Sequence, residues 1–285
     1  MKKILFSGAS LVLLLTSCSS AQTAQKTPAD AGTYITTITA PELSKHLYIV
    51  AGDEMQGRNT GEPGQKKAGE YLINEYKKMG ISFPPGATDF YQKVPSEFMK
   101  RGFAPKLNDS ENIWAFIKGS EKPDEILVIS AHYDHVGMKN GEIYNGADDN
   151  ASGVSAVLQI ARAFLATGVK PERTVIFAFW DGEEKGLLGS SYFVQSFPYI
   201  DRVKGYLNFD MIGRNNNEAN PEHVVYFYTE AHPVFGDWLK RDISKYGLKL
   251  KPNYRPWDKP VGGSDNASFA KLNIPVIWYH TDGHP

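Results

Sequence analysis

Residues 125–137 have the sequence EILVISAHYDHVG, in which an apolar run leads directly into a polar segment. The apolar run predicts a buried strand that delivers His132 and Asp134 together at its carboxyl end. Side chains along a strand alternate with a period of two, so both residues should point to the same side. Imidazole is a good zinc ligand, and a carboxylate two residues away can orient it. Alone, this pair is weak evidence, because a histidine near a strand end is often an ordinary polar residue.

Acidic residues recur at the ends of further predicted elements. Residues 145–153, NGADDNASG, place two adjacent acids in a glycine-flanked turn before an apolar helix. An apolar strand at 174–180 is followed by DGEE, residues 181–184, and a third strand ends at Asp210. Acids at the carboxyl ends of several strands in an open α/β sheet converge on one crevice. They would repel one another unless cations lay between them, so the set predicts a metal site.

Length and charge narrow the class of protein. The chain has 285 residues, enough to bury a sizeable core, and we expect one large α/β domain over residues 39–285. Its formal net charge of −1 and the scattered Lys and Arg residues argue against nucleic acid as a partner. Beyond the N-terminus no apolar run reaches the roughly 18 residues that a membrane-spanning helix needs.

The N-terminus predicts export. A short basic start and an apolar core have signal-peptide length, and LTSC, residues 15–18, resembles the bacterial lipobox. Cys18 is the only cysteine, which excludes an internal disulfide framework and suits lipidation. We interpret residues 1–18 as a lipoprotein signal peptide and residues 19–38 as a flexible tether. A plain secretory signal cleaved near Ala21 is the alternative. The first interpretation predicts a lipid-anchored protein of the bacterial cell envelope, in the outer membrane on its periplasmic side or at the cell surface.

The remaining chain alternates strands with helices, which indicates a mostly parallel sheet covered on both faces. A helix with capping-box spacing opens at residues 39–42, and a loop is expected at 253–260. The strands at 112–118 and 125–130 are expected to be neighbours joined by a turn. The other predicted strands are 90–94, 174–180, 203–210, 224–228 and 274–280. Further helices are predicted at 64–79, 154–166, 186–196 and 233–246, with a short one after the GGSD loop.

Together these motifs resemble the co-catalytic zinc aminopeptidases, a family that includes bacterial secreted leucyl aminopeptidases and aminopeptidase Y. Glutamate carboxypeptidase and glutaminyl cyclase are related to it. The resemblance covers the chain from about Leu43 to its end. It rests on five motifs, which are AHYD (131–134), GADDNASG (146–153), DGEEKGLLGS (181–190), NFDMIG (208–213) and GSD (263–265). It implies a mixed, mostly parallel eight-stranded sheet sandwiched between helices.

The resemblance also implies a site with two zinc ions. Asp149 would bridge the two ions. His132 and Asp210 would complete the protein ligands of the first ion, and Glu184 would bind the second. Peptides would be the substrates, and cleavage would be confined to the N-terminal residue.

Two further residues would take part in the chemistry. By the same resemblance, Asp134 would hold the His132 ring in place and Glu183 would act as general base toward a zinc-bound hydroxide. A glutaminyl cyclase-like acyltransferase using one zinc ion is an alternative, although the double acid at 148–149 fits the dinuclear peptidases better. Carboxypeptidase specificity and a non-catalytic binding lipoprotein on the same fold are also open.

The sequence departs from the family pattern near its end. The family's second zinc takes a histidine from a segment after the last strand, and by that comparison the ligand lies a few residues beyond Pro285. We therefore expect a C-terminally truncated sequence, with His280 and His284 as weak candidates for a substitute. Asn266 stands where relatives often have histidine, and we expect it to shape the pocket without binding metal.

Overall fold

The computed structural model describes residues 31–103, 107–215, 217, 219–258 and 262–283. The strands are β1 (Tyr91–Val94), β2 (Ser110–Ile117), β3 (Lys122–His132), β4 (Met138–Lys139), β5 (Glu142–Ile143), β6 (Arg173–Trp180), β7 (Val203–Phe209), β8 (His223–Tyr228), β9 (Lys251–Pro256) and β10 (Val276–His280). The α-helices are α1 (Ala31–Ile35), α2 (Ala40–Val50), α3 (Pro63–Met79), α4 (Ser96–Met99), α5 (Gly153–Ala166), α6 (Leu188–Ser196), α7 (Val234–Lys245) and α8 (Asn266–Ala270).

Eight strands form one sheet in the order β1-β2-β6-β3-β7-β10-β8-β9, and β4 and β5 form a separate hairpin. Strand β3 pairs in parallel with both β6 and β7, and β10 continues the parallel arrangement beside β7. Antiparallel pairs occur between β1 and β2, β2 and β6, and β8 and β10. The predicted mixed, mostly parallel eight-stranded sheet is confirmed.

Strand β6 lies between β2 and β3, so the prediction that these two strands are neighbours is wrong. All residues of β6 after Arg173 are buried, as expected for a central strand covered on both faces. The link from β2 to β3 crosses the start of β6 at Gly119. A Cβ atom there would lie 2.6 Å from the carbonyl carbon of Arg173, so only glycine allows the crossing without a shift. The local sequence predicts the turn between β2 and β3, but it does not reveal that this turn passes over β6.

The alternation of side chains along the central strands divides the core into two layers. One face of β6 packs with helices α3 and α5, through Val175, Phe177 and Phe179. The opposite face packs with α6 and α8, through Ile176, Ala178 and Trp180. Helix α5 contributes Val154, Val157, Leu158 and Ala161 to the first layer, whereas Leu165 in its last turn is 37% exposed. The sheet is therefore sandwiched between helices, which holds its strand ends in place.

Two surface segments differ from the prediction. Residues 253–256 belong to the edge strand β9 rather than to a loop, and they pair in parallel with β8. Pro252 and Pro256 argue against a strand in the sequence, because proline has no backbone N–H to donate. Proline is nevertheless tolerated in an edge strand such as β9. The hairpin β4–β5 lies in a stretch for which no strand was predicted.

The N-terminal part of the described chain is more ordered than expected. The signal peptide predicted at 1–18 and residues 19–30 of the tether lie outside the described residues. The end of the predicted tether is helical, since Ala31–Ile35 forms α1, and Tyr34 lines a shallow apolar groove with residues of α5. Helix α2 begins at Ala40 as predicted, but Thr39 makes no side-chain capping hydrogen bond. Among the described residues, no helix is both long and apolar enough to cross a membrane.

Candidate metal centre

The adjacent strands β6, β3 and β7 end at the same edge of the sheet, and this edge carries the candidate site. His132 is the last residue of β3 and is in register with the last residue of β6. On the other side, Ser130 of β3 is in register with Asn208 of β7. Two residues further along both strands, His132 and Asp210 are therefore level and point to the same side. The pairing register alone brings these two predicted ligands together.

A first group of donor atoms meets at His132, which is buried. Its Nε2 atom lies 3.2 Å from Asp149 Oδ1 and 3.4 Å from Asp210 Oδ1. A carboxylate oxygen of Glu183 also faces this point, since the donor atoms of His132, Glu183 and Asp210 lie within 4.8 Å of one another. One imidazole nitrogen and several carboxylate oxygens thus converge on a single small volume.

A second group adjoins the first and shares Asp149. The donor atoms of His135, Asp149 and Glu184 also lie within 4.8 Å of one another. Asp149 Oδ2 lies 3.8 Å from His135 Nδ1, and Glu184 Oε1 lies 2.7 Å from the same nitrogen. The Asp149 carboxylate therefore stands between the two groups, with Oδ1 toward His132 and Oδ2 toward His135.

The turn that carries Asp149 is tied to the end of β7. Asn150 donates from its side-chain amide to the carbonyl oxygen of Phe209 at 2.9 Å, and its Oδ1 accepts from the Gly153 backbone N–H at 3.0 Å. The Asp148 carboxylate accepts from the Gly213 backbone N–H at 2.6 Å. Of the two adjacent acids, Asp148 fixes the turn and Asp149 faces the site.

Asp134 is fully buried and supports the site from behind. Its Oδ1 lies 3.6 Å from His132 Nδ1, while the hydrogen-bond contact of that nitrogen, at 3.2 Å, is the backbone carbonyl oxygen of Asp134. The carboxylate accepts from the backbone N–H groups of Glu183 at 3.1 Å and Glu184 at 3.3 Å, and from Thr60 Oγ1 at 3.0 Å. The carboxylate lies beside His132, and its hydrogen bonds go to Thr60 and to the loop that carries the glutamate pair.

Arg58 joins the loops around the two donor groups. Its fully buried guanidinium donates to the carbonyl oxygens of Val50 at 2.6 Å, Tyr133 at 2.8 Å, Asn145 at 2.7 Å and Gly146 at 2.9 Å. Burial lowers its pKa to about 10, against the opposing effect of nearby carboxylates, so it stays charged at neutral pH. Arg58 therefore fastens the loop at 53–58 to the loops around the donor groups from the interior of the domain.

The charges of the site shift pKa values in opposite directions. For His132, burial lowers the pKa, but the charges of Asp210 and Glu183 outweigh burial and hold it well above its ordinary value. Burial raises the pKa of Glu183 well above its ordinary range. For Asp149, the interactions with His132 outweigh burial and bring the pKa to about 2. The site as a whole therefore favours additional positive charge.

A divalent cation fits these residues. Asp210 Oδ1, His135 Nδ1 and Glu184 Oε1 are buried atoms without a hydrogen-bond partner among the described residues. Buried polar atoms normally have partners, so such atoms converging on one place call for an explanation. Imidazole nitrogen and carboxylate oxygen are donors that zinc accepts, and an ion at each group would satisfy all three atoms.

Comparison with known proteins places the chain in a family. Residues 112–285 match peptidase family M28. The chain belongs to peptidase family M28. The match includes every residue of the two donor groups, and it confirms the resemblance drawn from the sequence motifs.

Two relatives of this M28 chain have curated names. Probable leucine aminopeptidase 2 of Trichophyton verrucosum is 38% identical over 205 residues, which cover 70% of this chain and 38% of that protein. Leupeptin-inactivating enzyme 1 of Streptomyces exfoliatus is 35% identical over 156 residues, which cover 54% of this chain and 32% of that protein. The chain thus spans about a third of the length of these relatives.

Solved structures share the fold of the M28 chain. LapA aminopeptidase of Legionella pneumophila has a TM-score of 0.67 at 22% identity, covering 89% of this chain and 64% of that chain. A Zn-dependent exopeptidase of Parabacteroides distasonis has a TM-score of 0.63 at 18% identity, with coverages of 86% and 85%. Glutaminyl cyclase of Porphyromonas gingivalis has a TM-score of 0.63 at 17% identity, with coverages of 85% and 83%. These likenesses confirm the fold.

Of the late histidine candidates, His280 lies among the described residues and does not join either donor group. His280 makes a 2.8 Å hydrogen-bond contact through Nδ1 with the carbonyl oxygen of Asp210, and its ring stacks on Trp278. It packs at the strand end. Asn266 is buried and accepts from the Asn208 side-chain amide at 3.3 Å, in the wall behind β7. His284 lies outside the described residues.

Sequence reasoning missed His135, although the residue lies in the stretch 125–137 that also carries His132 and Asp134. His135 lies three residues after His132, so the two-residue period of a strand does not place both side chains on the same side. The spacing therefore did not predict that the two histidines share a site. The usable signals were Gly137 and Gly146, and a Cβ atom at Gly146 would lie 2.5 Å from the His135 ring. Both glycines have positive φ, a backbone conformation that other residues rarely adopt.

Proposed function

We propose that this domain is a zinc-dependent exopeptidase that uses two zinc ions to hydrolyse the N-terminal peptide bond of peptides. The observation that carries the proposal is the Asp149 carboxylate, which directs one oxygen to each of two adjacent donor groups. His132 and Asp210 would complete the first ion's protein ligands, and Glu184 would bind the second. Two ions sharing a carboxylate suit the hydrolysis of an acyl bond.

Bound zinc would supply Lewis acidity, lowering the pKa of water toward about 7 and stabilising the developing oxyanion. The chain's own residues would move the proton. Glu183 faces the first donor group, and burial raises the pKa of its carboxyl above the ordinary range, so it would accept a proton more readily than an exposed glutamate and return it to the leaving amine. Asp134 would position Glu183 and Glu184 through their backbone N–H groups.

Peptide substrates and N-terminal specificity are supported by family membership and by relatives named as aminopeptidases. A glutaminyl cyclase shares the fold, so cyclisation of an N-terminal glutamine is the competing activity. The second donor group favours hydrolysis, because His132, Asp149 and Asp210 of the first group already supply the three protein ligands that one catalytic zinc ion needs. The two reactions give different products from one experiment.

The test compares wild type with Glu183→Gln on leucyl p-nitroanilide and on a peptide with N-terminal glutamine. Loss of a general base should lower hydrolysis by roughly two to four orders of magnitude, while zinc content and circular dichroism stay unchanged. Glu121→Gln, at an exposed glutamate, is the matched control. Unchanged turnover in Glu183→Gln would contradict the role of Glu183. Ammonia release without chain cleavage in wild type would instead identify a cyclase.

We further propose that the chain is exported and anchored to the bacterial cell envelope through a lipid on Cys18. The proposal rests on the signal-peptide pattern of residues 1–18 and on the position of Cys18 in its lipobox-like sequence. Labelled palmitate should enter the wild-type protein in a bacterial host, and Cys18→Ser should abolish both labelling and membrane retention. Labelling that persists in Cys18→Ser would refute the anchor.

A further inference from the structure

Asn112 lies near the start of β2, beside the loop that carries the glutamate pair. Strand β2 runs antiparallel to β6, so its first residues stand at the edge of the sheet where β6 ends. The Asn112 side chain is fully buried. A buried amide costs stability unless its polar atoms are bonded, so the partners of Asn112 show what it does there.

The amide of Asn112 bonds to both ends of the loop 181–189. Its Oδ1 accepts from the Asp181 backbone N–H at 3.1 Å, and its Nδ2 donates to the carbonyl oxygen of Gly189 at 3.0 Å. Because a backbone N–H only donates and a carbonyl oxygen only accepts, these partners fix which way the amide points. The Nδ2 atom also donates to Gln92 Oε1 of β1 at 2.8 Å. One side chain therefore closes the base of the loop.

The two ends of the loop approach each other closely. The Gly189 backbone N–H donates to the carbonyl oxygen of Asp181 at 2.8 Å. A Cβ atom at Gly189 would lie 2.2 Å from Asn112 Oδ1 and 2.4 Å from the Asp181 carbonyl oxygen, so only glycine allows this approach without a shift. The glutamate pair lies between these ends, and Asp134 accepts from its backbone N–H groups. The loop is thus held at its base by Asn112 and beside the donor groups by Asp134.

We propose that Asn112 is a positioning residue for the reaction, because closing the base of the loop 181–189 holds Glu183 against the first donor group. The inference rests on the proposed role of Glu183 as general base. A general base must stay within hydrogen-bond reach of the proton that it takes. A displacement of about 1 Å, caused by a residue that touches no substrate, can cost roughly 100-fold in rate.

Turnover of the zinc-loaded protein tests the proposal with Asn112→Leu and a matched control, Thr174→Val. Thr174 is buried at the opposite end of β6, where its Oγ1 accepts from the Gly119 backbone N–H at 3.1 Å and donates to the carbonyl oxygen of Pro123 at 2.8 Å. Each replacement thus removes one acceptor and one donor that bind backbone groups, and both variants should lose stability in urea.

We expect kcat for leucyl p-nitroanilide to fall roughly 10- to 100-fold in Asn112→Leu alone, with KM within about threefold of the wild-type KM. This split between kcat and KM indicates a lost interaction that acts in the transition state, which a loss of stability by itself would not produce. The inference would be overturned if kcat of Asn112→Leu stayed within about threefold of wild type, or if kcat fell equally in Thr174→Val.

Hydrogen exchange supplies a readout that does not depend on catalysis. In Asn112→Leu, the backbone N–H groups of Glu183 and Glu184 should exchange at least roughly 10-fold faster than in wild type, because the loop opens once its base is released. In Thr174→Val they should exchange at the wild-type rate. Wild-type exchange in Asn112→Leu would also overturn the inference. Asn112→Ser, which keeps one bonding group, serves for the same measurements if Asn112→Leu does not fold.

The outcomes separate this inference from the proposed function. Loss of turnover in Glu183→Gln, together with wild-type turnover and exchange in Asn112→Leu, would refute the inference alone. Full turnover in Glu183→Gln would refute the general-base role, and faster exchange in Asn112→Leu would still show that Asn112 closes the loop.

Discussion

Asp134 Oδ1 accepts a hydrogen bond from the backbone N–H of Glu183 at 3.1 Å. The two residues follow different strands, β3 and β6, and the bond joins the segment after His132 to the segment that carries both glutamates. A buried carboxylate that accepts several N–H and O–H donors holds them firmly, because charged hydrogen bonds are stronger than neutral ones. The two ends of the candidate metal centre are therefore fixed to each other through Asp134.

Replacing Asp134 by asparagine should loosen the glutamate pair. Asparagine offers one acceptor oxygen, and its amide would face N–H groups that need acceptors. We expect zinc affinity and turnover to fall roughly 10- to 100-fold, and the free energy of unfolding to fall by about 1–3 kcal/mol. Zinc titration and urea denaturation would measure both effects. Asp124→Asn, at an exposed ion pair, is the control, and equal behaviour of the two variants would exclude the positioning role.

Arg58→Lys should destabilise the domain although it keeps the charge. Lysine cannot reach four carbonyl oxygens at once, so several buried acceptors would lose their donors. We expect a loss of about 3 kcal/mol or more and a fall in Tm of roughly 6–12 °C. Differential scanning calorimetry would measure it beside Arg202→Lys, an exposed arginine whose change should be near zero. If the Tm of Arg58→Lys lay within about 2 °C of the wild-type Tm, this account of Arg58 would be contradicted.

Zinc should stabilise the folded chain, because an ion bound only to the native state adds free energy by mass action. At a free zinc concentration of 100 times Kd we expect about 2.7 kcal/mol, or a rise in Tm of roughly 5–11 °C over protein treated with chelator. Asp149→Asn should remove most of the rise, since Asp149 faces both donor groups. Asp237→Asn, on the exposed side of α7, should keep it. An undiminished rise in Asp149→Asn would show that zinc stabilises the chain elsewhere.

Asp265 should make the stability of the metal-free protein depend on pH. It is fully buried, and burial raises its pKa to about 7 against the opposing effect of His132, so the folded state favours the protonated acid. This contribution is complete below the unfolded-state pKa of about 3.9 and is lost as pH rises through about 7. Asp265→Asn cannot ionise, so its stability relative to wild type should grow by roughly 2.7 kcal/mol between pH 5 and about pH 7, at about 1.36 kcal/mol per pH unit, and level off toward pH 8.

Chemical denaturation of chelator-treated protein at several pH values would measure this difference. Asp124→Asn, at an exposed aspartate, should show no comparable trend. A constant difference between Asp265→Asn and wild type from pH 5 to pH 8 would mean that Asp265 does not titrate differently in the folded and unfolded states.

Much of the site could be predicted from the sequence because it depends on local order. Strand ends are visible in apolar runs such as 174–180, and parallel strands bring their carboxyl ends to one edge. His132 and Asp210 meet for that reason alone, through the register of β3 with β7. The motifs around Asp149 and the glutamate pair added the family resemblance, which supplied the expected division of roles.

Features that depend on contacts between distant segments could not be predicted in this way. The insertion of β6 between β2 and β3 depends on which strand is buried on both faces, and Gly119 reveals it only when the strand beneath is known. His135 enters the site because Arg58, far away in the sequence, holds its backbone and Gly146 leaves room for its ring. Strand β9 was missed because its prolines argue against a strand. At a sheet edge, one side of the strand needs no hydrogen-bond partner, so the prolines are tolerated there.

The order β6-β3-β7 fixes part of the candidate metal centre independently of the surface hairpin β4–β5. The relative position of His132 and Asp210 is set by the pairing of β3 with β7, whose strands are about 4.8 Å apart. The hairpin β4–β5, between His135 and Asp149 in the sequence, pairs with itself and not with the main sheet. A different hairpin at this place would therefore leave the pairing that aligns His132 with Asp210 intact.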